Sequence, residues 1–213
     1  MLSADFLHLE KDVEMVNRYA DIFHLDVMDG TFVPNISFGF PVISAIAKKA
    51  TRPLDVHLMI VHPEKYVERF IREVGADMVS FHYEAAKEQS AAILRQIRGL
   101  GAKAGIVINP DCPVEFIFPY LGKVDYVLLM SVFAGFGGQK FIEETYDRIR
   151  AVRKEIGRIG SDALIEVDGG VYAGNARQLE EAGAGILVAG SAVFKAEDPG
   201  EAIAAIRGYS LLP

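Results

Sequence analysis

Seven short apolar runs recur along the chain, and no other feature of the sequence restricts its fold as strongly. They cover residues 22–28, 53–59, 78–82, 104–109, 126–131, 163–168 and 186–189. Successive runs start 22 to 37 residues apart. Each interval holds a strand, a helix of about three turns and two short loops, the length of a βα unit. Pro63 before Glu64, and Pro113 two residues before Glu115, predict helix starts. Residues 90–100 carry Ile93, Leu94 and Ile97 on one stripe and stop at Gly99 and Gly101. A further helix is predicted over 5–19, almost directly after Met1. No linker, low-complexity tract or charge run interrupts the series, so residues 1–213 read as one domain.

Alternating βα units imply a parallel sheet covered by helices, either a closed barrel or an open doubly wound sheet. Two features favour the TIM (β/α)8 barrel. Polar residues alternate with apolar ones on several strands, as barrel mouths allow: His24 and Asp26, Asp55 and His57, Glu166 and Asp168. The glycine-rich turns come late, where a barrel keeps its phosphate site, whereas an open dinucleotide-binding sheet places one after its first strand. Only seven strands are visible, and a barrel needs eight.

Composition removes whole classes of function. The net charge of −7 would repel nucleic acid and anionic membranes alike. No apolar run is long enough for a membrane span, and no signal sequence opens the chain. The single cysteine, Cys112, has no internal disulfide partner, which predicts a reducing, cytoplasmic compartment.

At a strand period of two, His24, Asp26 and Met28 share one face. So do Asp55, His57 and Met59, and then Glu166 and Asp168 before Gly169 and Gly170. Parallel strands closed into a barrel would bring His24, Asp26, His57 and Asp168 together at the carboxyl mouth. Two imidazoles and two carboxylates suit one borderline divalent ion, Zn, Fe, Co or Mn, and disfavour Mg and Ca. Of the other histidines, His8 and His62 read as surface or helix-start residues, and His82 fits either a structural or a site role. Met28, Met59 and Met130 fall on the same inward parity, as core filler or as an apolar wall that excludes water. Glycine turns at 134–139, 168–170 and 189–192 predict a phosphate cup built mainly from backbone N–H groups. A phosphate grip opposite a metal flanked by two carboxylates suits proton abstraction beside a carbonyl, with return of a proton to the opposite face.

The motifs His-x-Asp-x-Met-Asp-Gly, Asp-x-His-Leu-Met, Gly-Phe-Gly-Gly-Gln, Glu-Val-Asp-Gly-Gly and Ala-Gly-Ser-Ala, in this order, resemble the ribulose-phosphate 3-epimerase family over nearly the whole chain. The resemblance implies a TIM barrel that interconverts D-ribulose 5-phosphate and D-xylulose 5-phosphate through an enediolate. It implies metal ligation by His24, Asp26, His57 and Asp168, with Asp26 and Asp168 as the acid/base pair. Substrate would lie against His57 and Asp168, with phosphate on Gly135, Phe136, Gly137, Gly138, Gly169, Gly170, Gly190 and Ser191. Met28, Met59 and Met130 would cap the enediolate. A homo-oligomer, dimer or hexamer, is implied as well.

The chain departs from that family twice. Phe133-Ala134 stands where an acidic or amide residue and proline are common. The family's first strand and its Pro-Ser pair are missing ahead of Leu2-Ser3-Ala4-Asp5, and Ser3 does not replace that serine. The expectation is a start assigned too far downstream or a truncated chain, with a seam in the barrel and two exposed strand edges. Two other readings stay open: an epimerase of a hexulose phosphate such as allulose 6-phosphate, and an inactive phosphate-binding barrel.

Overall fold

The computed structural model describes residues 1–208; the last five positions of the expected 1–213 domain lie outside the described residues. The strands are β1 (Phe23–Met28), β2 (Leu54–Met59), β3 (Met78–His82), β4 (Lys103–Ile108), β5 (Tyr126–Met130), β6 (Leu164–Asp168) and β7 (Ile186–Val188). They form one all-parallel sheet in the order β1-β2-β3-β4-β5-β6-β7. The helices are α1 (Leu9–Tyr19), α2 (Phe40–Ala47), α3 (Val67–Arg69), α4 (Tyr83–Ala86), α5 (Ser90–Gly99), α6 (Thr145–Ile159), α7 (Ala173–Ala182), α8 (Ser191–Phe194) and α9 (Pro199–Ile206). Among the described residues no helix is long and apolar enough to cross a membrane.

The sheet curls into the TIM-barrel architecture. Tyr126 on β5 reaches across the interior to donate its hydroxyl to Asp55 on β2 at 2.7 Å. His24 on β1 comes within 3.4 Å of Glu166 on β6. An open flat sheet would hold these strands far apart. Outward residues such as Phe23, Leu25, Val56, Phe81, Ile106 and Val127 are buried against Ile43, Ile93, Leu94, Ile97, Ile149 and Val152 of the helices. Both faces of the strands are therefore covered, as parallel sheets require.

The predicted strands match to within a residue or so at each end, but several helix predictions change. The first helix begins at Leu9 rather than residue 5, because Asp5 turns the chain locally: it accepts from Leu7 N–H at 2.9 Å and meets His8 Nδ1 at 2.8 Å. Pro113 opens two 3₁₀ turns, Val114–Phe116 and Phe118–Tyr120, instead of an α-helix. Pro119 has no N–H to continue a helical ladder. After Pro63 come a 3₁₀ turn, α3 and a π turn at Phe70–Val74, which ends on left-handed Gly75.

The edge strands β1 and β7 are not paired with each other. The Met1 amine donates to the carbonyl of His24 at 2.6 Å. A cavity of about 620 Å³ is lined by both edge strands and by the loops at the carboxyl mouth.

The floor of the barrel depends on one glycine. A Cβ on Gly105 of β4 would collide with the Tyr126 ring and stand 2.8 Å from Ser80 Cβ. Gly105→Ala should displace Tyr126 from Asp55 and destabilise the fold by about 1–3 kcal/mol in urea titrations. Gly122→Ala, where a Cβ meets nothing within 4 Å, should change stability by less than about 0.5 kcal/mol. Equal stability of the two variants would refute the packing role of Gly105.

Candidate active site

Strand register sets the cluster. β1 and β2 align Met28 with Met59, Asp26 with His57 and His24 with Asp55. On the far side, β5 and β6 align Met130 with Asp168. The inward residues thus stack in levels, with Met28 and Met59 toward the mouth above Asp26 and His57, and Met130 level with Asp168.

His24, Asp26, His57 and Asp168 come together, each offering one ligand atom within 4.8 Å of the others. His24 Nε2 lies 3.3 Å from Asp26 Oδ1 and 3.9 Å from Asp168 Oδ2. His57 Nδ1 lies 3.4 Å from the same Asp26 oxygen. His24 Nε2 and His57 Nδ1 are buried and have no hydrogen-bond partner. Two orphaned imidazole nitrogens facing two carboxylate oxygens fit a divalent ion, for which ligand atoms about 2.0–2.2 Å from the centre stand a little over 3 Å apart. The mixed N/O set suits Zn, Fe, Co or Mn.

Electrostatics divides the four groups. Burial works to raise the Asp26 carboxyl, but the charge of His24 beside it, with His57 Nδ1 against the same oxygen, holds it well below the usual carboxylate range. Burial, and then the neighbouring Asp26 charge, push Asp168 up to about 7. Burial lowers His57 to about 4, leaving a neutral ring. Burial opposes protonation of His24 too, yet Asp26 and Asp55 raise it well above its ordinary value.

Beneath this level lies a cluster that strand parity aligned without giving it a task. His24 Nδ1 bonds Asp55 Oδ2 at 2.6 Å, and Asp55 also accepts from Tyr126. Asp55 therefore orients the His24 ring, so that Nε2 faces the cluster above. Glu166 sits beside them, its carboxyl raised to about 8 by burial and then by the Asp55 charge.

The glycine turns converge on the same cavity. Gly135, Phe136, Gly137, Gly138, Gly169, Gly170, Gly190 and Ser191 line it, as do His24, Asp26, Asp168, Met28, Met59 and Met130. His57 does not line it; fully buried, it stands behind Asp26. Gly170 has φ +63°, and a Cβ there would stand 2.7 Å from Phe141 N, so no other residue fits without displacing backbone. Met28 and Met59 pack with Leu2, Val33, Phe32 and Ala134, and Met130 packs with Val107, Leu128, Val132 and again Ala134. Ser3 places Oγ 3.1 Å from where a Cβ on Gly190 would stand, at the rim of the cup.

Three amide side chains that sequence reading did not single out hold the loop over the site. Gln139 Nε2 donates to the carbonyls of Phe133 at 2.7 Å and Phe136 at 2.8 Å. Asn35 Nδ2 donates to the Gly135 carbonyl at 2.9 Å. Asn109 Oδ1 accepts from Ala134 N–H at 3.1 Å, a bond that proline at 134 could not make. Gln139 ends one of the glycine motifs, whereas Asn35 and Asn109 stand beside no glycine and carried no signal in the sequence. His8 and His62 are largely exposed at turn starts, as expected, and His82 is fully buried.

The Ribulose-phosphate 3 epimerase family model matches residues 1–194. The chain belongs to that family. It is 50% identical over 209 residues to the ribulose-phosphate 3-epimerase of Synechocystis sp., covering 97% of this chain and 90% of that one. It is 46% identical over 210 residues to the ribulose-phosphate 3-epimerase of Bacillus subtilis, covering 98% and 96%. Among solved structures, a 3-hexulose-6-phosphate synthase superposes with TM-score 0.71 at 18% identity, covering 96% of both chains. A 3-keto-L-gulonate-6-phosphate decarboxylase from Vibrio cholerae superposes with TM-score 0.71 at 16% identity, covering 93% and 90%. These two likenesses establish the barrel fold of this chain.

The Glu166 carboxyl, held protonated in the fold, ionises when the chain unfolds at neutral pH. A folded value of about 8, above the ordinary 4.5, gives stability that is present below about 4.5 and lost as pH rises through about 8. Ion-free Glu166→Gln should therefore show a shallower fall in Tm between pH 5 and pH 8.5 than the ion-free parent. Parallel Tm profiles would show that the carboxyl is not held protonated.

Proposed function

We propose that this chain is an isomerase that interconverts D-ribulose 5-phosphate and D-xylulose 5-phosphate by proton transfer at C3, with one divalent ion held by His24, Asp26, His57 and Asp168. The observation that carries this reading is the divided pair of carboxyls. Asp26 is held ionised and Asp168 holds its proton up to about 7, and both flank the two orphaned imidazole nitrogens. Environments that push two neighbouring carboxyls apart mark a base and an acid. Family membership and relatives at 44–50% identity named ribulose-phosphate 3-epimerase support the substrate, and favour the pentulose over a hexulose.

In the direction from ribulose, Asp26 takes the C3 proton and leaves a planar enediolate. Asp168 delivers its proton to the opposite face of C3, and the product is the epimer. Turnover exchanges the protonation of the pair, so the reverse reaction starts from Asp168. When bound, the divalent ion supplies positive charge beside the developing enediolate oxygens. His57, neutral near pH 7, has a lone pair for that ion without first losing a proton. His24 must shed its Nε2 proton to ligate, and Asp26 and Asp55 hold that proton above the ordinary histidine value, so ion affinity should rise with pH.

The other lining groups have simpler tasks. Gly135, Phe136, Gly137, Gly138, Gly169, Gly170, Gly190 and Ser191 hold the phosphate and so fix C3 between the two carboxyls. The sulfurs of Met28, Met59 and Met130 cover the planar intermediate and exclude water, which protects the carbanion from stray protonation.

Turnover of D-ribulose 5-phosphate in D₂O, on chelated and then Mn²⁺- or Zn²⁺-reloaded protein, tests the reading. Ion-dependent xylulose 5-phosphate carrying deuterium at C3 is the expected result; no product from folded, reloaded protein would overturn it. Asp26→Asn and Asp168→Asn should each lower kcat by at least about 10³-fold with the fold intact. A near-normal rate in either would remove that residue from the acid/base pair. His57→Ala should release the ion, and full stoichiometry on dialysis would count against its ligand role.

A further inference from the structure

His82 is completely buried directly behind one of the proposed ion ligands. Its Nε2 stands 2.9 Å from Nε2 of His57, and the two rings stack with centroids 5.1 Å apart. Two ring nitrogens at that distance share one hydrogen, so one donates and the other accepts. The choice decides what His57 can do. If His57 Nε2 accepts, the ring proton sits on Nδ1, the nitrogen facing Asp26, and no lone pair is left for an ion. If His57 Nε2 donates, Nδ1 is free to ligate.

That choice is made on the far side of His82, where its Nδ1 meets two groups of opposite demand. Asn109 Nδ2 lies 3.4 Å away and can only donate. Glu84 Oε2 lies 3.6 Å away and, as a carboxylate oxygen, can only accept. The glutamate is held in place: its Oε1 accepts from Asn109 N–H at 2.7 Å. Its Oε2 is buried and has no hydrogen-bond partner. Asn109 is fixed in turn, because Arg148 donates to its carbonyl at 2.8 Å.

We propose that His82 and Glu84 are positioning residues that set the tautomer of His57. Glu84 Oε2 accepts the Nδ1 hydrogen of His82, His82 Nε2 accepts the Nε2 hydrogen of His57, and the lone pair of His57 Nδ1 faces the ion. A bond to a carboxylate is roughly twice as strong as one between neutral groups. Both contacts are long, 3.4 Å to the amide and 3.6 Å to the carboxylate, so distance does not choose between them; charge does, together with the buried Oε2 that has no other partner. The carboxylate therefore prevails over the amide. Asn109 also bonds Ala134 N–H, so the same chain of contacts runs from the ion site to the loop that carries Gly135, Gly137 and Gly138. This inference rests on the ion-binding reading above and deepens it.

The test is Zn²⁺ affinity by competition with a chromogenic chelator, for the parent chain, Glu84→Gln, His82→Leu and His82→Gln. The glutamine at 84 has the same shape, but whichever way its amide turns, an NH₂ faces either His82 or the Asn109 N–H. Glu84→Gln and His82→Leu should each weaken Zn²⁺ binding roughly 10–100-fold. His82→Gln, whose Oε1 can accept from His57 Nε2–H, should recover most of the loss. Long-range ¹H–¹⁵N spectra of the Zn²⁺-loaded parent should show His57 protonated at Nε2 and His82 at Nδ1. These spectra need no variant, and His82 protonated at Nε2 instead would overturn the proposal. Parent and variants binding within twofold of one another would overturn the positioning role while leaving the ion site standing. A parent that takes up no Zn²⁺ would overturn the ion-binding reading and this inference together.

Discussion

Taking a charged carboxylate out of water costs several kcal/mol unless its lone pairs are met, and this barrel buries two, Asp26 and Asp55, around one imidazole. His24 is the group that makes that tolerable. Its Nδ1 bonds Asp55 at 2.6 Å, and its Nε2 stands 3.3 Å from Asp26. With no ion bound, the protonated ring offsets the charge of both carboxylates. The lower level is completed from across the barrel by Tyr126, whose hydroxyl reaches Asp55 only because Gly105 leaves room for the ring. Removing a side chain from one strand thus makes the geometry of another.

The two levels have different chemistry for a physical reason. In the lower one, Asp55 Oδ2 bonds His24 and Oδ1 bonds Tyr126, and the Glu166 carboxyl is raised to about 8. In the upper one, two imidazole nitrogens are buried without partners, against one oxygen of Glu166 in the lower. Unsatisfied buried polar atoms are uncommon, because each carries a desolvation penalty. Where they converge with two carboxylate oxygens, the arrangement suits a ligand better than it suits an empty interior. The glycine turns form the other half of the same cavity.

Much of this was legible in the sequence. Parity along 22–28, 53–59 and 163–168 put His24, Asp26, His57 and Asp168 on inward faces, and the three glycine turns came after the strands that line the cavity. The helix errors came where local chemistry overrode periodicity: Asp5 bonding its own turn, and Pro119 interrupting the segment after Pro113. His82 was left open because one histidine at a strand end has no signature of its own. Its pairing with His57 exists only through the register that sets Ser80 of β3 opposite His57 of β2.

The sequence by itself determined which side chains face inward and where each strand ends, because a period of two and glycine punctuation are local properties. Distances between strands were decided by tertiary structure alone. The curl of the sheet brought β1 within reach of β6 and β5 within reach of β2, and the His24 charge beside Asp26, set against burial and the Asp26 charge at Asp168, then separated the two carboxyls by protonation state. Identical residues on an open sheet would titrate as ordinary carboxyls. Long-range contact and desolvation belong to the folded barrel, and no spacing along the chain encodes them.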